Sequence, residues 1–205
     1  MATKKESVSW STKLITADPA PSPNADGSLR PLRFYRSFEL PTSKVQNAQI
    51  FITAHGCYAA YVNGRLVTDE CMTPGWQSYK HHLHYQTYDI SHLLHQSVNN
   101  TLCVAVAPGW YASALAWARG RRCFFGDLLG LIVQLEVKLQ DGGQYVLCTD
   151  ERWQWATSPL LSSELYNGEV YDANVDETRF PLLAVAASDL PAHELISSDV
   201  SLPCV

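Results

Sequence analysis

The residues best suited to chemistry in this chain are aromatic and polar groups set beside glycines. Tyr61-Val62-Asn63-Gly64-Arg65, Pro74-Gly75-Trp76 and Pro108-Gly109-Trp110-Tyr111 recur in one stretch of sequence. A flat ring next to a flexible Gly can meet the C–H face of a pyranose, while fixed amide, carboxylate or guanidinium groups orient its hydroxyls. On this ground the candidate ligand-binding residues are Asn63, Trp76, Tyr79, Trp110, Tyr111, Arg121, Glu169 and Tyr171. The plainer reading is that rings at strand ends more often pack than bind.

Tyr79, Tyr166, Asp127 and Glu169 are the candidates for proton transfer. Tyr79, Tyr85, Tyr166 and Tyr171, with Arg119, Arg121 and Arg122, could line a cavity that holds a developing charge. A glycosidase would need two carboxyls about 5 to 9 Å apart across a cleft. Asp127, Glu164, Glu169 and Asp172 supply the groups but not the separation, and acidic residues at strand ends are ordinarily solvated or paired with arginine.

His81, His82 and His84 cluster, with His92 and His95 nearby. On a strand His82 and His84 would share one face and could ligate a metal. No third ligand is spaced to close such a site, so a wet strand face is the better account. A Ca²⁺ site would draw on Asp69, Asn99, Asn100 and Asp172, without a loop signature to support it. No metal or other cofactor is expected.

The elements that must position these groups read as strands. Prolines 19, 21, 23 and 31 make 17–31 a loop. From there strands are predicted at 33–40, 48–54, 57–63, 82–89, 101–107, 129–139, 144–149 and 152–156. Leu131, Val133, Leu135, Val137 and Leu139 alternate with Gln134, Glu136 and Lys138, one buried face against one wet face. Asn63-Gly64 supplies the two positive-φ residues of a tight hairpin, and Asp141-Gly142-Gly143 turns the chain again. Ser91 could cap a helical turn over 90–95, and Trp10 should dock onto the domain. The 205 residues read as one β-sandwich domain: a 1–32 extension, a 33–174 core and an irregular 175–205 tail.

The net charge of −5, with basic residues scattered, argues against nucleic acid as a partner. No run is long and apolar enough for a membrane span. The N-terminus has no apolar stretch after its charges, and the six cysteines lack metal or redox spacing. Both features suggest reduced thiols and a cytoplasmic location. A small-molecule or sugar ligand is the expected partner, with a homo-oligomer also open.

The order Tyr-Val-Asn-Gly-Arg (61–65), Pro-Gly-Trp-Gln-Ser-Tyr (74–79), Tyr-Gln-Thr-Tyr-Asp-Ile (85–90), Gly-Trp-Tyr (109–111), Gly-Arg-Arg (120–122), Phe-Gly-Asp (125–127), Gln-Leu-Glu-Val (134–137), Thr-Asp-Glu-Arg-Trp (149–153) and Leu-Tyr-Asn-Gly-Glu-Val-Tyr-Asp-Ala (165–173) resembles the N-terminal β-sandwich domain of bacterial-type α-L-rhamnosidases. The resemblance covers roughly 33–174. It implies an all-β, antiparallel jelly-roll β-sandwich like carbohydrate-binding modules, with the catalytic carboxylates on a separate (α/α) barrel absent from this chain. Where the family usually carries Gly-Asp-Gly-Trp-Tyr, this chain has Ala107-Pro108-Gly109-Trp110-Tyr111, and Ala112-Ser113-Ala114-Leu115 replaces a basic run. These changes make the rim less polar. The expected function is a stand-alone, non-hydrolytic ligand-binding protein whose default ligand is a sugar or glycoside. The alternatives are a small isomerase, cyclase or lyase-like tailoring enzyme acting on a less polar substrate, as in secondary metabolism, and an accessory fragment of an α-L-rhamnosidase.

Overall fold

The computed structural model describes residues 9–115 and 119–174, and beyond them the backbone of three short strands at 182–183, 185–186 and 194–197. In chain order the strands are β1 (Ile15–Thr16), β2 (Leu32–Glu39), β3 (Val45–His55), β4 (Cys57–Val62), β5 (Arg65–Leu66), β6 (His82–Asp89), β7 (Asn99–Ala107), β8 (Gly130–Leu139), β9 (Gln144–Cys148), β10 (Gln154–Thr157), β11 (Leu160–Glu164), β12 (Gly168–Tyr171), β13 (Leu182–Leu183), β14 (Val185–Ala186) and β15 (Glu194–Ser197). One sheet has the order β14-β1-β8-β3-β6-β15, with β9 also pairing β8. The facing sheet runs β13-β10-β2-β7-β4-β5, and β11-β12 stand apart as a two-stranded hairpin. Pairing is antiparallel except that β15 lies parallel to β6. The fold is an antiparallel jelly-roll β-sandwich.

Alternation is what makes these strands. Leu131, Val133, Leu135, Val137 and Leu139 of β8 face Phe34 of β2 and Leu102, Val104 and Val106 of β7 in one buried core. The opposite face of β8 is not uniformly wet. Gln134 is only 1% exposed because the N-terminal segment crosses it. Ser11 N–H donates to Gln134 Oε1 at 3.0 Å, and Gln134 Nε2 donates to Ser9 O at 2.9 Å. Trp10 docks as expected, edge-on to Tyr85 at 4.9 Å and to Phe51 at 6.1 Å.

Three other expectations change. The turn after β6 is a 3-10 helix over Ser91–Leu93, and Ser91 does not cap it. Its hydroxyl instead accepts from Ala48 N–H at 2.7 Å, while Asp89 Oδ1 receives the Ser91 N–H at 2.9 Å. The loop after β7 winds into a short helix, α1 (Gly109–Ala112). The tail supplies β13, β14 and β15 where irregular chain was expected, since open sheet edges can accept its backbone groups. Pro181, Pro191, Pro203 and Cys204 lie outside the described residues. Cys57, Cys123 and Cys148 carry free thiols.

Candidate functional site

One end of the sandwich brings together aromatic groups from several elements. Gly109 opens α1 at φ 49, and a β-carbon there would collide with Cys57 of β4. Only glycine lets the end of β7 pass so close to β4. The next residues diverge: Tyr111 turns into the core, and Trp110 stays partly buried at its surface. Gly75, at φ 89, turns the other loop so that Trp76 reaches Trp110. The two indoles stack with centroids 5.4 Å apart and planes inclined by 8°. The rings expected to flank a ligand separately thus form one platform, with Trp76 outermost at 55% exposure.

Beneath the platform lies a buried aromatic cluster. His55, at the end of β3, stacks on Tyr111 at 4.6 Å. Tyr79 meets Tyr111 edge-on at 5.1 Å and Phe125 at 5.0 Å. The Tyr79 hydroxyl donates to Gly75 O at 3.3 Å, tying the Trp76 loop to the cluster. Burial pushes the Tyr111 phenol up to about 12, helped by the charge of Asp127. Burial drives Tyr79 up further, with Cys57 and Tyr111 adding to it. The Cys57 thiol is pushed up to about 11 by burial. All three groups hold their protons at neutral pH.

The 119–127 loop completes the rim. The Arg121 guanidinium lies 5.6 Å over the ring of Phe124, itself edge-on to Phe125 at 5.0 Å. Asp127 is exposed on the same loop, and Gly126 leaves room for the Tyr111 hydroxyl. Arg122 turns away and fastens the loop. It pairs with Glu164 of β11, which is almost wholly buried, and with Asp26 at 3.3 Å. Asn167 Nδ2 donates to the other Glu164 oxygen at 2.7 Å.

The remaining candidates are elsewhere. The Asn63 amide is fully engaged in the fold: Nδ2 donates to Leu93 O and Asn100 Oδ1, and Oδ1 accepts from Thr101 N–H, each at 2.8 Å. Tyr166, Glu169 and Tyr171 are exposed on the β11-β12 hairpin, where Glu169 accepts from Ser163 at 2.9 Å. Tyr85 lies under Trp10. Of the four tyrosines, Tyr79 belongs to the cluster beneath the platform, Tyr85 to the ring contact with Trp10, and Tyr166 and Tyr171 to the hairpin, so no single element gathers them. Glu164, held by Arg122 and Asn167, is not half of an acid pair, and Asp172 Oδ1 accepts from Asn174. Asn100 is spent on Asn63, His95 and Val98, and Asn99 accepts from Ser37. Among the described residues, no three His, Cys, Asp or Glu side chains converge on a metal position.

Sequence reasoning missed one polar network. The Tyr58 hydroxyl donates to Gln86 Oε1 at 2.8 Å, and the Tyr88 hydroxyl donates to Glu70 Oε2 at 2.5 Å. Burial raises both phenols. The network anchors the loop leading to Trp76, and no local spacing announces it.

Residues 43–199 match the family model described as the alpha-L-rhamnosidase N-terminal domain. An alpha-L-rhamnosidase of Streptomyces avermitilis is 33% identical over 192 residues, covering 90% of this chain and 18% of the relative. The crystal structure of the Aspergillus terreus α-L-rhamnosidase superposes with a TM-score of 0.82 at 34% identity, covering 91% of this chain and 22% of that one. The Streptomyces avermitilis α-L-rhamnosidase complexed with L-rhamnose gives 0.75 at 30% identity, covering 83% of this chain and 17% of that one. The chain thus spans well under a third of these relatives' length.

Proposed function

The chain belongs to the α-L-rhamnosidase N-terminal domain family, and from that premise we propose that it is a non-hydrolytic carbohydrate-recognition domain. Its ligand is a rhamnoside or related glycoside held on the Trp76–Trp110 platform. The observation that carries this reading is the coplanar indole pair, whose outer member keeps 55% of its surface in water. An apolar face that folding leaves exposed is the surface a pyranose C–H face would cover. Arg121 and Asp127, both exposed on the 119–127 loop, would be the polar partners for sugar hydroxyls. The Streptomyces relative crystallised with L-rhamnose supports the choice of sugar.

Hydrolysis finds no support in these residues. Glu164 is bound by Arg122, and Asp127 lies on the 119–127 loop while Glu169 lies on strand β12. Burial keeps the tyrosines under the rim protonated, so an acid–base tailoring enzyme would find proton donors there and would need its base elsewhere. Isothermal titration with L-rhamnose and p-nitrophenyl α-L-rhamnoside tests the proposal. Saturable binding weakened by Trp76→Ala, with no p-nitrophenol released, is the expected result. Binding indifferent to Trp76→Ala, or release of p-nitrophenol by the pure chain, would overturn it.

A second reading is that the chain serves as an accessory domain for a catalytic partner. Every residue of β12 is exposed, and Tyr166, Val170 and Tyr171 form apolar ground on that hairpin. The matched relatives carry most of their length beyond this domain. Mixing the chain with a rhamnosidase deprived of its own N-terminal domain should then raise that enzyme's melting temperature, and Tyr171→Lys should abolish the gain.

A further inference from the structure

The loop that carries Trp76 is pegged to β6 at three successive places. The Tyr88 hydroxyl donates to Glu70 Oε2 at 2.5 Å, Gln86 Nε2 donates to Pro74 O at 3.4 Å, and the His84 N–H donates to Gln77 Oε1. As the strand descends by twos from 88 to 84, the loop advances from 70 to 77. A second strand holds Thr73: the Tyr58 N–H of β4 donates to Thr73 O at 2.8 Å, and Thr73 Oγ1 donates to Tyr58 O at 3.1 Å. Thr73, Gln77 and Gln86 are all buried, while Trp76, between the second and third pegs, is exposed.

Gln86 is the central peg, and its own amide is oriented. Oε1 accepts from the Tyr58 hydroxyl at 2.8 Å, which leaves the donor end of the amide for Pro74 O. Proline has no N–H with which to hold a loop, so its carbonyl is the handle two residues before the indole. Stability alone does not account for the placement of this loop. Gln77 Nε2 stays buried without a hydrogen-bond partner among the described residues, a cost that a looser loop would avoid. We propose that Gln86 is a positioning residue that holds Trp76 against Trp110 before any ligand arrives.

A platform formed in advance binds more tightly than one that a ligand must assemble, because the loop is already ordered in the free protein. At 6% exposure Gln86 is too deeply placed to meet a sugar, so its effect runs through Pro74 and Gly75 to the ring. Tyr79, donating to Gly75 O from within the aromatic cluster, adds a further hold on the residue next to Trp76. What the platform meets rests on the carbohydrate reading above; how the platform is held does not.

The test is fluorine NMR of the full chain labelled with fluorotryptophan, alongside calorimetric titration with p-nitrophenyl α-L-rhamnoside. Trp76→Phe and Trp153→Phe identify the two resonances to follow. Without sugar, the Trp76 resonance of the parent should be displaced from its solvent value by the stacked Trp110 ring. Gln86→Leu should move it toward that value and weaken rhamnoside binding about tenfold, leaving the Trp153 resonance in place. Tyr58→Phe, which frees the Gln86 amide to turn, should do the same to a smaller extent, with binding weakened about threefold. A Trp76 resonance unmoved in Gln86→Leu, or in Tyr58→Phe should Gln86→Leu not fold, overturns the positioning role. Equal movement of the Trp153 resonance marks a general loosening and overturns it too, as does full rhamnoside affinity in a variant whose Trp76 resonance has moved. A parent that binds no rhamnoside removes the carbohydrate reading alone, and the resonance still decides what holds Trp76.

Discussion

Trp76 and Trp110 at the rim, and Trp153 and Trp155 in the core, are the same residue type in opposite situations. Trp153 is wholly buried, and its indole N–H donates to Cys148 O at 2.9 Å. Trp155 lies on β10 between the sheets, with no hydrogen-bond partner for its indole nitrogen. Trp76 and Trp110 stack face to face at one end of the sandwich. The core pair trades its aromatic surface for stability. The rim pair leaves a large share of that surface in water, which is costly unless something else covers it.

The largest expected effect is on the core side. Trp153→Ala should cost about 3–5 kcal/mol of unfolding free energy in urea melts, as a cavity-forming change that also orphans a carbonyl. Trp155→Ala should fall in the same range toward its lower end, since no hydrogen bond is lost with it. A silent Trp153→Ala would mean that the sandwich has been read inside out.

Next comes the junction between the two regions. Gly109→Ala should cost about 2–3 kcal/mol, because the new methyl meets Cys57 and the backbone is held at φ 49. It should also weaken glycoside binding, since Trp110 follows directly. A variant as stable as the parent would show that α1 can shift without disturbing β4.

On the rim side the effects move from stability to binding. Trp76→Ala should weaken glycoside binding by about 1–3 kcal/mol while changing stability by less than about 0.5 kcal/mol. Trp110→Ala should show both effects, because that ring is packed against the core as well as against Trp76. Equal stability losses in the two would erase the distinction between the outer and inner indole.

The smallest effect is a pH dependence from the cluster beneath the rim. The folded-state pKa of Tyr111 is raised by burial to about 12, so the folded state holds that proton more tightly than the unfolded chain. The corresponding stability is complete below the ordinary tyrosine range near 10 and is lost as pH rises toward 12. Melting temperature should decline across that alkaline window, and Tyr111→Phe should flatten the decline. An unchanged slope in the variant would place the responsible group elsewhere.

Much of the fold was legible because alternation is local. The strand expected at 82–89 is His82–Asp89, and the one expected at 129–139 is Gly130–Leu139. The β11-β12 hairpin was not legible: Ser162, Ser163 and the exposed residues of β12 bury too little to leave a pattern. The rim was half legible. The Gly-Trp pairs marked both indoles, but not that they would meet each other. Asn63 was recognised as a turn residue, yet its amide is consumed by partners in the 3-10 turn and β7.

The sequence by itself determined the sandwich, its hairpins, its family and the aromatic character of one end, because turn chemistry and period-two burial act between near neighbours. Only the tertiary structure decided which of those groups share a surface. Arg122 reaches Glu164, Gln134 is closed over by Ser9 and Ser11, and His82 comes level with Glu194. Each of these pairings spans a long stretch of chain, and no local periodicity encodes where two distant strands will lie side by side.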